Sequence, residues 1–140
     1  MSVCPLCHPT QETVLWSGGR CRVILVEDAA YPGFCRVIWQ AHAKEMTDLA
    51  PAQRQDLMSV VFAVEQALRE TLRPDKINLA SLGNQVPHLH WHVIPRFADD
   101  AHFPDPIWAV ARRKGQTRQV DGERLTQALA RHIPAGWSYE

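Results

Sequence analysis

Residues 87–95 read Pro-His-Leu-His-Trp-His-Val-Ile-Pro, so that His88, His90 and His92 alternate with apolar residues. Side chains in a β-strand point to opposite faces with a period of two. The alternation predicts a strand over 88–94 with the three imidazoles on one face and the apolar side chains on the other. Imidazoles spaced by about 6–7 Å along a strand form a compact group that can bind a metal ion or act on an anionic substrate. The spacing alone does not decide between these two uses.

Short segments rich in β-branched residues precede this stretch and are separated by turn residues. We interpret residues 14–16, 21–26 and 34–40 as strands, because turn-forming residues at 17–19 and 31–33 bound them. Three short strands joined by tight turns predict an antiparallel meander.

A long amphipathic helix is predicted after residue 50. Pro51 follows a Thr-Asp-Leu-Ala segment and suits the first position of a helix. Apolar residues then recur in steps of three and four, which places them on one helical stripe. The stripe consists of Leu57, Val61, Val64, Leu68 and Leu72, with Val60 beside it. Pro74 predicts the end of the helix.

Strand character returns after the helix at residues 77–82 and 88–94, and a last short helix is predicted over 123–132. A helix between two groups of strands is typical of the α+β class. We therefore predict an antiparallel sheet of about five strands, with the long helix packed on it and a short helix near the C-terminus. The length predicts a single domain over residues 1–140.

The composition argues against strong association with nucleic acids or membranes. The 140 residues include 15 basic and 15 acidic side chains, which gives a formal net charge of +0. A neutral chain has no global field to attract a polyanion, and no apolar run approaches the ~20 residues that span a bilayer. The start of the chain lacks the features of a signal peptide, so a cytoplasmic location is predicted. We interpret the basic cluster as a solvated loop; it consists of Arg112, Arg113, Lys114 and Arg118.

Four cysteines are present, and in the cytoplasm they are expected to be reduced. Cys21 and Cys35 lie in apolar segments of β character and are predicted to be buried thiols. Cys4 and Cys7 have the Cys-x-x-Cys spacing that is common in structural zinc sites.

A tetrahedral zinc site needs two further ligands, which must come from distant parts of the chain. His42 follows the third predicted strand and His88 begins the histidine strand, so both are candidates beside Cys4 and Cys7. The adjacent His8 is a local competitor. A redox role for the Cys-x-x-Cys pair and the absence of any metal are the alternatives.

The HLHWHVI sequence at residues 88–94 resembles the signature of the histidine triad (HIT) family, His-φ-His-φ-His-φ-φ, where φ is apolar. Residues 32–42 are similar to the family's strand that ends in a histidine-bearing turn, and the helix follows at the family's usual distance. The Cys-Pro-Leu-Cys sequence at 4–7 resembles the zinc-binding start of many bacterial members. The resemblance covers about residues 3–96 and leaves 97–140 as a C-terminal extension.

The resemblance implies an enzyme that acts on nucleotides. His90 would be the nucleophile that attacks the α-phosphorus and forms a covalent nucleotidyl-histidine, which water then resolves. His92 would hydrogen-bond the phosphate and stabilise the developing charge. The expected activity is that of a nucleotide hydrolase or nucleotidyl transferase that cleaves a phosphoramidate or phosphoanhydride bond. Family members bind purine nucleotides and are usually homodimers, so both properties are expected here.

The resemblance also implies a structural metal site. In zinc-bearing members the first histidine of the triad can be a metal ligand. His88 would then join Cys4, Cys7 and His42 around a closed zinc ion, which leaves the other two histidines of the triad for chemistry.

Substrate contacts are expected from the loop before the triad. Asn84 and Gln85 stand where family members carry a glutamine and a small hydroxyl residue, and both side chains can donate hydrogen bonds to phosphate oxygens. Asn78 on the preceding strand is a third candidate. The nucleoside is expected in an apolar cleft near Val26 and Phe34.

Two competing hypotheses stay open. The altered loop before the triad is compatible with a catalytically idle module that binds nucleotide and zinc. In the other hypothesis all three histidines bind one metal ion, which is disfavoured because alternate residues of a flat strand converge poorly on a tetrahedral centre. Trp108 and Trp137 in the C-terminal extension are interpreted as packing residues rather than as a lid over a ligand.

Overall fold

The computed structural model describes residues 3–134, which form an α+β fold of five strands and two α-helices. The elements are β1 (Thr13–Ser17), β2 (Cys21–Leu25), β3 (Cys35–Trp39), α1 (Pro51–Leu72), β4 (Lys76–Ala80), β5 (His90–Arg96) and α2 (Gly122–His132), with a short 3-10 helix at Met46–Asp48. The strands form one antiparallel sheet in the order β1-β2-β3-β5-β4. The predicted architecture is therefore confirmed.

One face of the sheet builds the main core against α1. Val23 pairs with Val37 across β2 and β3, and Cys35 pairs with Val93 across β3 and β5. These four side chains are fully buried in one apolar cluster that includes residues of α1. Cys21 lies in the same cluster, so both predicted buried thiols are confirmed. Each large side chain buried here contributes about 1.5–3 kcal/mol, so this face holds the helix on the sheet.

The long helix begins at Pro51 and ends at Leu72, as predicted. At its start the side-chain oxygen of Gln53 accepts a hydrogen bond from the N–H of Ala50 (2.8 Å). Arg73, with a φ of 50°, turns the chain out of the helix. The predicted apolar stripe is confirmed, except that Leu72 is only partly buried. The buried residues of α1 are Leu57, Val60, Val61, Ala63, Val64, Ala67 and Leu68.

The histidine strand begins and ends two residues later than the sequence predicts. It was expected over 88–94 and is observed at His90–Arg96, so it passes through Pro95. A proline lacks the N–H that a central strand uses. The structure accommodates it because the pairing of β3 with β5 ends at Val93, while Pro95 lies opposite Ile77 of β4. The ladder on the β3 side therefore requires no donor from residue 95.

The segment between β5 and α2 has no helix or strand but is anchored by a buried ion pair. Arg96 is 2% exposed and donates from Nε to Asp100 Oδ2 (2.8 Å) and from Nη2 to the carbonyl oxygen of Asp105 (2.8 Å). Burial opposes ionisation of Asp100, but the Arg96 guanidinium and backbone N–H groups outweigh it and lower the pKa of Asp100 to about 2. Those N–H groups belong to Phe97, His102 and Phe103.

The basic cluster after this ion pair lies in a loop, and Arg112, Arg113 and Lys114 are exposed, as the interpretation of a solvated loop predicts. Its three arginines, residues 112, 113 and 118, donate hydrogen bonds to carboxylate or carbonyl oxygens of residues 99–105. The loop is therefore solvated but tied to the preceding part of the same segment. Within residues 3–134, neither helix has the length and apolar character needed to cross a bilayer.

Candidate active site

The second face of the sheet carries an open cavity of about 490 Å³. His90 and His92 of β5 line it together with Phe34 and Arg36 from the β3 side, because these residues share one face of the pleated sheet. The other lining residues are Leu6, Leu82, Gly83, Asn84, Gln85, Val86, Ile94, Ile107 and Trp108. This volume lies within the range of about 300–1,000 Å³ that is usual for small-molecule sites.

The ring of His90 has a defined proton arrangement. Its Nδ1 lies 2.6 Å from the carbonyl oxygen of His88. A carbonyl oxygen only accepts hydrogen bonds, so Nδ1 carries the proton and Nε2 keeps a free lone pair. His90 is 8% exposed, and burial is the main reason that its pKa lies below the ordinary value. The ring is therefore neutral near neutral pH and has the form that a nucleophile requires.

The ring of His92 has the opposite proton arrangement. Arg36 donates a hydrogen bond from Nε to Nδ1 of His92 (3.4 Å), so Nδ1 is the acceptor and the proton lies on Nε2. The rings of His90 and His92 lie 5.0 Å apart between centroids, with an interplanar angle of 89°. Burial, followed by the nearby His90 and Arg36, lowers the pKa of His92 to about 4. His92 therefore provides a neutral N–H donor beside the free lone pair of its neighbour.

The loop before β5 contributes polar groups to the cavity. Gly83 has a φ of +68°, a left-handed conformation that favours glycine, and it turns the chain so that Asn84 and Gln85 line the cavity. Both side chains are exposed. Their amide groups are thus available to a bound molecule.

Other residues predicted to contact substrate lie in different surroundings. Phe34 lines the cavity. Val26 is not among the lining residues, but it packs against a small apolar cluster of Tyr31, Phe34 and Ile94. Asn78 is not among the residues that line the cavity; its side-chain oxygen accepts a hydrogen bond from Arg96 Nη1 (2.8 Å). Of the predicted contacts, the cavity is therefore lined by Phe34, which precedes β3, by Asn84 and Gln85 in the loop before β5, and by His92.

The two tryptophans of the C-terminal extension were interpreted as packing residues. Trp108 is 59% exposed and lines the cavity, so this interpretation was wrong for Trp108. The buried anchor at Arg96 holds the preceding residues of this segment against the sheet, which brings Trp108 to the cavity. Trp137 lies outside the described residues.

A second cluster of chemistry-bearing side chains lies beside the cavity. The donor atoms of Cys4, Cys7, His42 and His88 all lie within 4.8 Å of one another. Nδ1 of His88 is 3.4 Å from each of the two sulfur atoms, and Nδ1 of His42 is 3.2 Å from Sγ of Cys7. A zinc tetrahedron with bonds of ~2.0–2.3 Å has edges of about 3.3–3.8 Å, and these three distances lie close to that range. His8, the local competitor, is exposed and is not part of the cluster.

The fully buried ring of His88 has both nitrogens engaged away from the cavity. Its Nε2 lies 2.5 Å from the carbonyl oxygen of Trp39, which places the proton on Nε2 and leaves the Nδ1 lone pair facing the thiols of Cys4 and Cys7. This is the tautomer that a metal ligand needs. It also argues against a single metal ion shared by all three histidines of the triad, because His88 has no nitrogen left to share with His90 and His92.

Sequence reasoning missed Arg36, Leu6 and Ile107 as residues that line the cavity. Arg36 gave one usable signal, since it is the only charged residue in the predicted strand 34–40 and has the same parity as Phe34. Leu6 and Ile107 gave no such signal, because their approach to the cavity depends on how the N-terminal segment and the segment after β5 fold against the sheet.

The antiparallel sheet, the paired histidines of the cavity and the cysteine–histidine cluster define an α+β protein of the histidine triad class. A sequence model of the HIT domain matches residues 9–99, and the chain belongs to the HIT domain family. A histidine triad protein from Bradyrhizobium japonicum is 33% identical with a TM-score of 0.70, over 87% of this chain and 90% of that one. A Zn-bound histidine triad family protein from Mycobacterium smegmatis, 23% identical over 90% and 89% of the two chains, shares the fold with a TM-score of 0.63.

Two curated relatives match more distantly. A bis(5'-nucleosyl)-tetraphosphatase (asymmetrical) from Schizosaccharomyces pombe is 26% identical over 118 residues, which cover 74% of this chain and 65% of the relative. An AP-4-A phosphorylase from Mycobacterium tuberculosis is 28% identical over 78 residues, which cover 51% of this chain and 40% of the relative. The chain thus spans less than two thirds of the length of either relative.

Proposed function

We propose that this protein is a nucleotide hydrolase or nucleotidyl transferase that works through His90. The observation that carries the proposal is the hydrogen bond from His90 Nδ1 to the His88 carbonyl oxygen, since it leaves Nε2 unprotonated in a cavity of suitable size. The names of the tetraphosphatase and phosphorylase relatives support a nucleotide substrate. Membership of the HIT domain family supports the same class of chemistry.

The proposed reaction has two steps at the α-phosphorus. The lone pair of His90 Nε2 forms a P–N bond, while the bond from phosphorus to the leaving group breaks and its electron pair departs with that group. An amine leaving group then takes a proton from water. In the second step a water oxygen attacks the phosphorus, releases a proton to solvent, and returns the P–N electron pair to Nε2. A different acceptor in place of water gives nucleotidyl transfer.

The neighbouring groups stabilise charge on the phosphate. The Nε2–H of His92 donates to a phosphate oxygen, and the exposed amides of Asn84 and Gln85 supply further donors. We propose an indirect role for Asn78, which supports Arg96 and with it the segment that carries Trp108. Trp108 offers an exposed aromatic surface at the cavity, on which a base can stack.

We propose that Cys4, Cys7, His42 and His88 hold a structural zinc ion. The donor chemistry and the distances support this assignment. With four protein ligands the ion has no open position for substrate, so it would tie the N-terminal segment to the residues that flank β3 and β5. The purine preference and the homodimer stay predictions from the family resemblance, and the cytoplasmic location stays a prediction from the start of the sequence.

An idle module that binds nucleotide and zinc is the second candidate. It is favoured by the loop before β5, because Asn84 and Gln85 replace the glutamine and the small hydroxyl residue that family members usually carry there. The two candidates differ in turnover, because an idle module would bind nucleotide equally well with and without the imidazole of His90.

The deciding experiment compares His90→Ala with the unaltered protein in zinc-replete buffer. Turnover of adenosine 5'-phosphoramidate and of a diadenosine polyphosphate is expected to fall on the order of 10⁴-fold or more, because no other group replaces the nucleophile. Mass spectrometry of the rapidly quenched unaltered protein should show one added adenylyl group on residue 90. His132→Ala is the matched control, since that histidine lies on α2 and pairs with Glu70. Equal turnover in His90→Ala would refute the mechanism.

A further inference from the structure

Arg36 is a charged residue in a position that the fold does not require to be charged. It is the second residue of β3, directly opposite His92, and its side chain lines the cavity. Its neighbours Cys35 and Val37 are fully buried on the other face of the sheet. An apolar residue at this position would continue the wall that Phe34 begins. The guanidinium therefore gives the cavity a positive charge, which packing alone does not explain.

Among residues 3–134, the guanidinium is also the only ionised group that lines the cavity. The other lining side chains are apolar, amide or imidazole groups, and no aspartate, glutamate or lysine is among them. Within residues 3–134, Arg36 takes part in no ion pair. Because an arginine stays protonated at all ordinary pH values, the cavity carries one positive charge without a protein counterion.

Most of the hydrogen-bonding capacity of Arg36 is unused. Its Nε donates to His92, and its guanidinium carbon lies 5.4 Å from the centre of the Phe34 ring. In the described part of the chain, the two Nη groups make no hydrogen bond, so four N–H donors of the planar fork stay available. A half-buried cation with open donors is costly unless an anion completes it, and the fork matches phosphate oxygens.

We propose that Arg36 binds phosphate oxygens of the leaving group and directs the site towards nucleotidyl anhydrides rather than phosphoramidates. This inference rests on the proposed function. In both substrate classes the α-phosphate carries one charge and meets His90 and His92. Only an anhydride has further negative charge on the leaving side of the Pα–O bond. When that bond breaks, the electron pair departs on a phosphate oxygen, and the Arg36 charge stabilises the departing anion without a proton.

The test compares two substrates in one set of variants. For the unaltered protein, Arg36→Met and Arg36→Lys, kcat/KM is measured with diadenosine tetraphosphate and with adenosine 5'-phosphoramidate. The ratio of kcat/KM for diadenosine tetraphosphate to kcat/KM for the phosphoramidate is expected to fall about 10- to 100-fold in Arg36→Met. The reason is that a charge-assisted hydrogen bond is lost for the tetraphosphate only. Arg36→Lys keeps the charge and should recover part of the ratio. Any effect through the contact with His92 acts on both substrates and cancels in the ratio.

The control is Arg20→Met, which removes an exposed arginine that pairs with Asp56 outside the cavity and should leave the ratio unchanged. An equal loss for both substrates in Arg36→Met would overturn the inference, since Arg36 would then serve the shared nucleotidyl part, while the proposed function would stand. A protein that turned over neither substrate would refute the proposed function instead. In that case calorimetric titration with tripolyphosphate still tests whether Arg36 binds phosphate oxygens. The proposal requires that tripolyphosphate binds Arg36→Met at least about 10-fold more weakly than the unaltered protein.

Discussion

The histidines at residues 88, 90 and 92 differ in which ring nitrogen carries the proton, because each meets a different partner. Carbonyl oxygens hold the protons of His88 on Nε2 and of His90 on Nδ1, and the Arg36 guanidinium holds the proton of His92 on Nε2. These three proton arrangements suit the roles that we propose for the rings, namely metal ligand, nucleophile and hydrogen-bond donor. Three identical side chains at alternate positions thus differ in chemical form because their hydrogen-bond partners differ.

The lowered pKa of His92 predicts a pH dependence of stability. The folded ring has a pKa of about 4, against an ordinary value of 6.5, so the unfolded chain binds a proton in this interval that the folded chain does not. The free energy of unfolding should therefore be highest above about pH 6.5 and should fall as the pH decreases towards about 4. Urea unfolding across this range should show a shallower decrease for His92→Gln than for the unaltered protein. Parallel curves for the two proteins would contradict the assignment.

At the scale of elements, the segment after β5 contains one buried ion pair, Arg96–Asp100. Arg96→Met would leave the buried Asp100 carboxylate without its cationic partner and should lower the free energy of unfolding by about 3–5 kcal/mol. Arg112→Met, which breaks an exposed ion pair with Asp105 in the same segment, should cost less than about 1 kcal/mol. Urea unfolding of both variants measures the difference. Similar losses in the two variants would show that Arg96 does not anchor the segment.

The elements differ in how far the sequence predicts them. The helix α1 was predictable to its first residue, because Pro51 and a regular apolar stripe are local signals. The period-two pattern likewise predicts that His90 and His92 share a face, and both line one cavity. The shift of β5 through Pro95 was not predictable, because it depends on where its partner strand ends. Trp108 was misinterpreted for the same reason, since its position depends on distant contacts of the segment that carries it.

At the scale of the whole molecule, the cysteine–histidine cluster brings the N-terminal segment together with His42, which follows β3, and His88, which precedes β5. Cys4→Ser should lower the zinc content and reduce the melting temperature by about 5–15 °C, because a cross-link between distant segments is lost. The chemical step at His90 should be largely preserved in the protein that stays folded. Zinc analysis, thermal unfolding and turnover measure the three effects. His8→Ala is the control and should retain zinc, and a folded Cys4→Ser variant without turnover would contradict a structural role.

The separation of 84 residues between Cys4 and His88 has a consequence for biosynthesis. A ribosome that adds about 5–20 residues per second leaves the two thiols without their histidine partner for roughly 4–17 s. During that time they emerge together as an open dithiol, which can be oxidised or can take up a metal ion with two of the four ligands, and with three once His42 has been added. The imidazole of His88 reaches them in the same stretch of translation that delivers the strand with His90. The cysteine–histidine cluster and the histidine pair of the cavity therefore become complete within a few residues of each other.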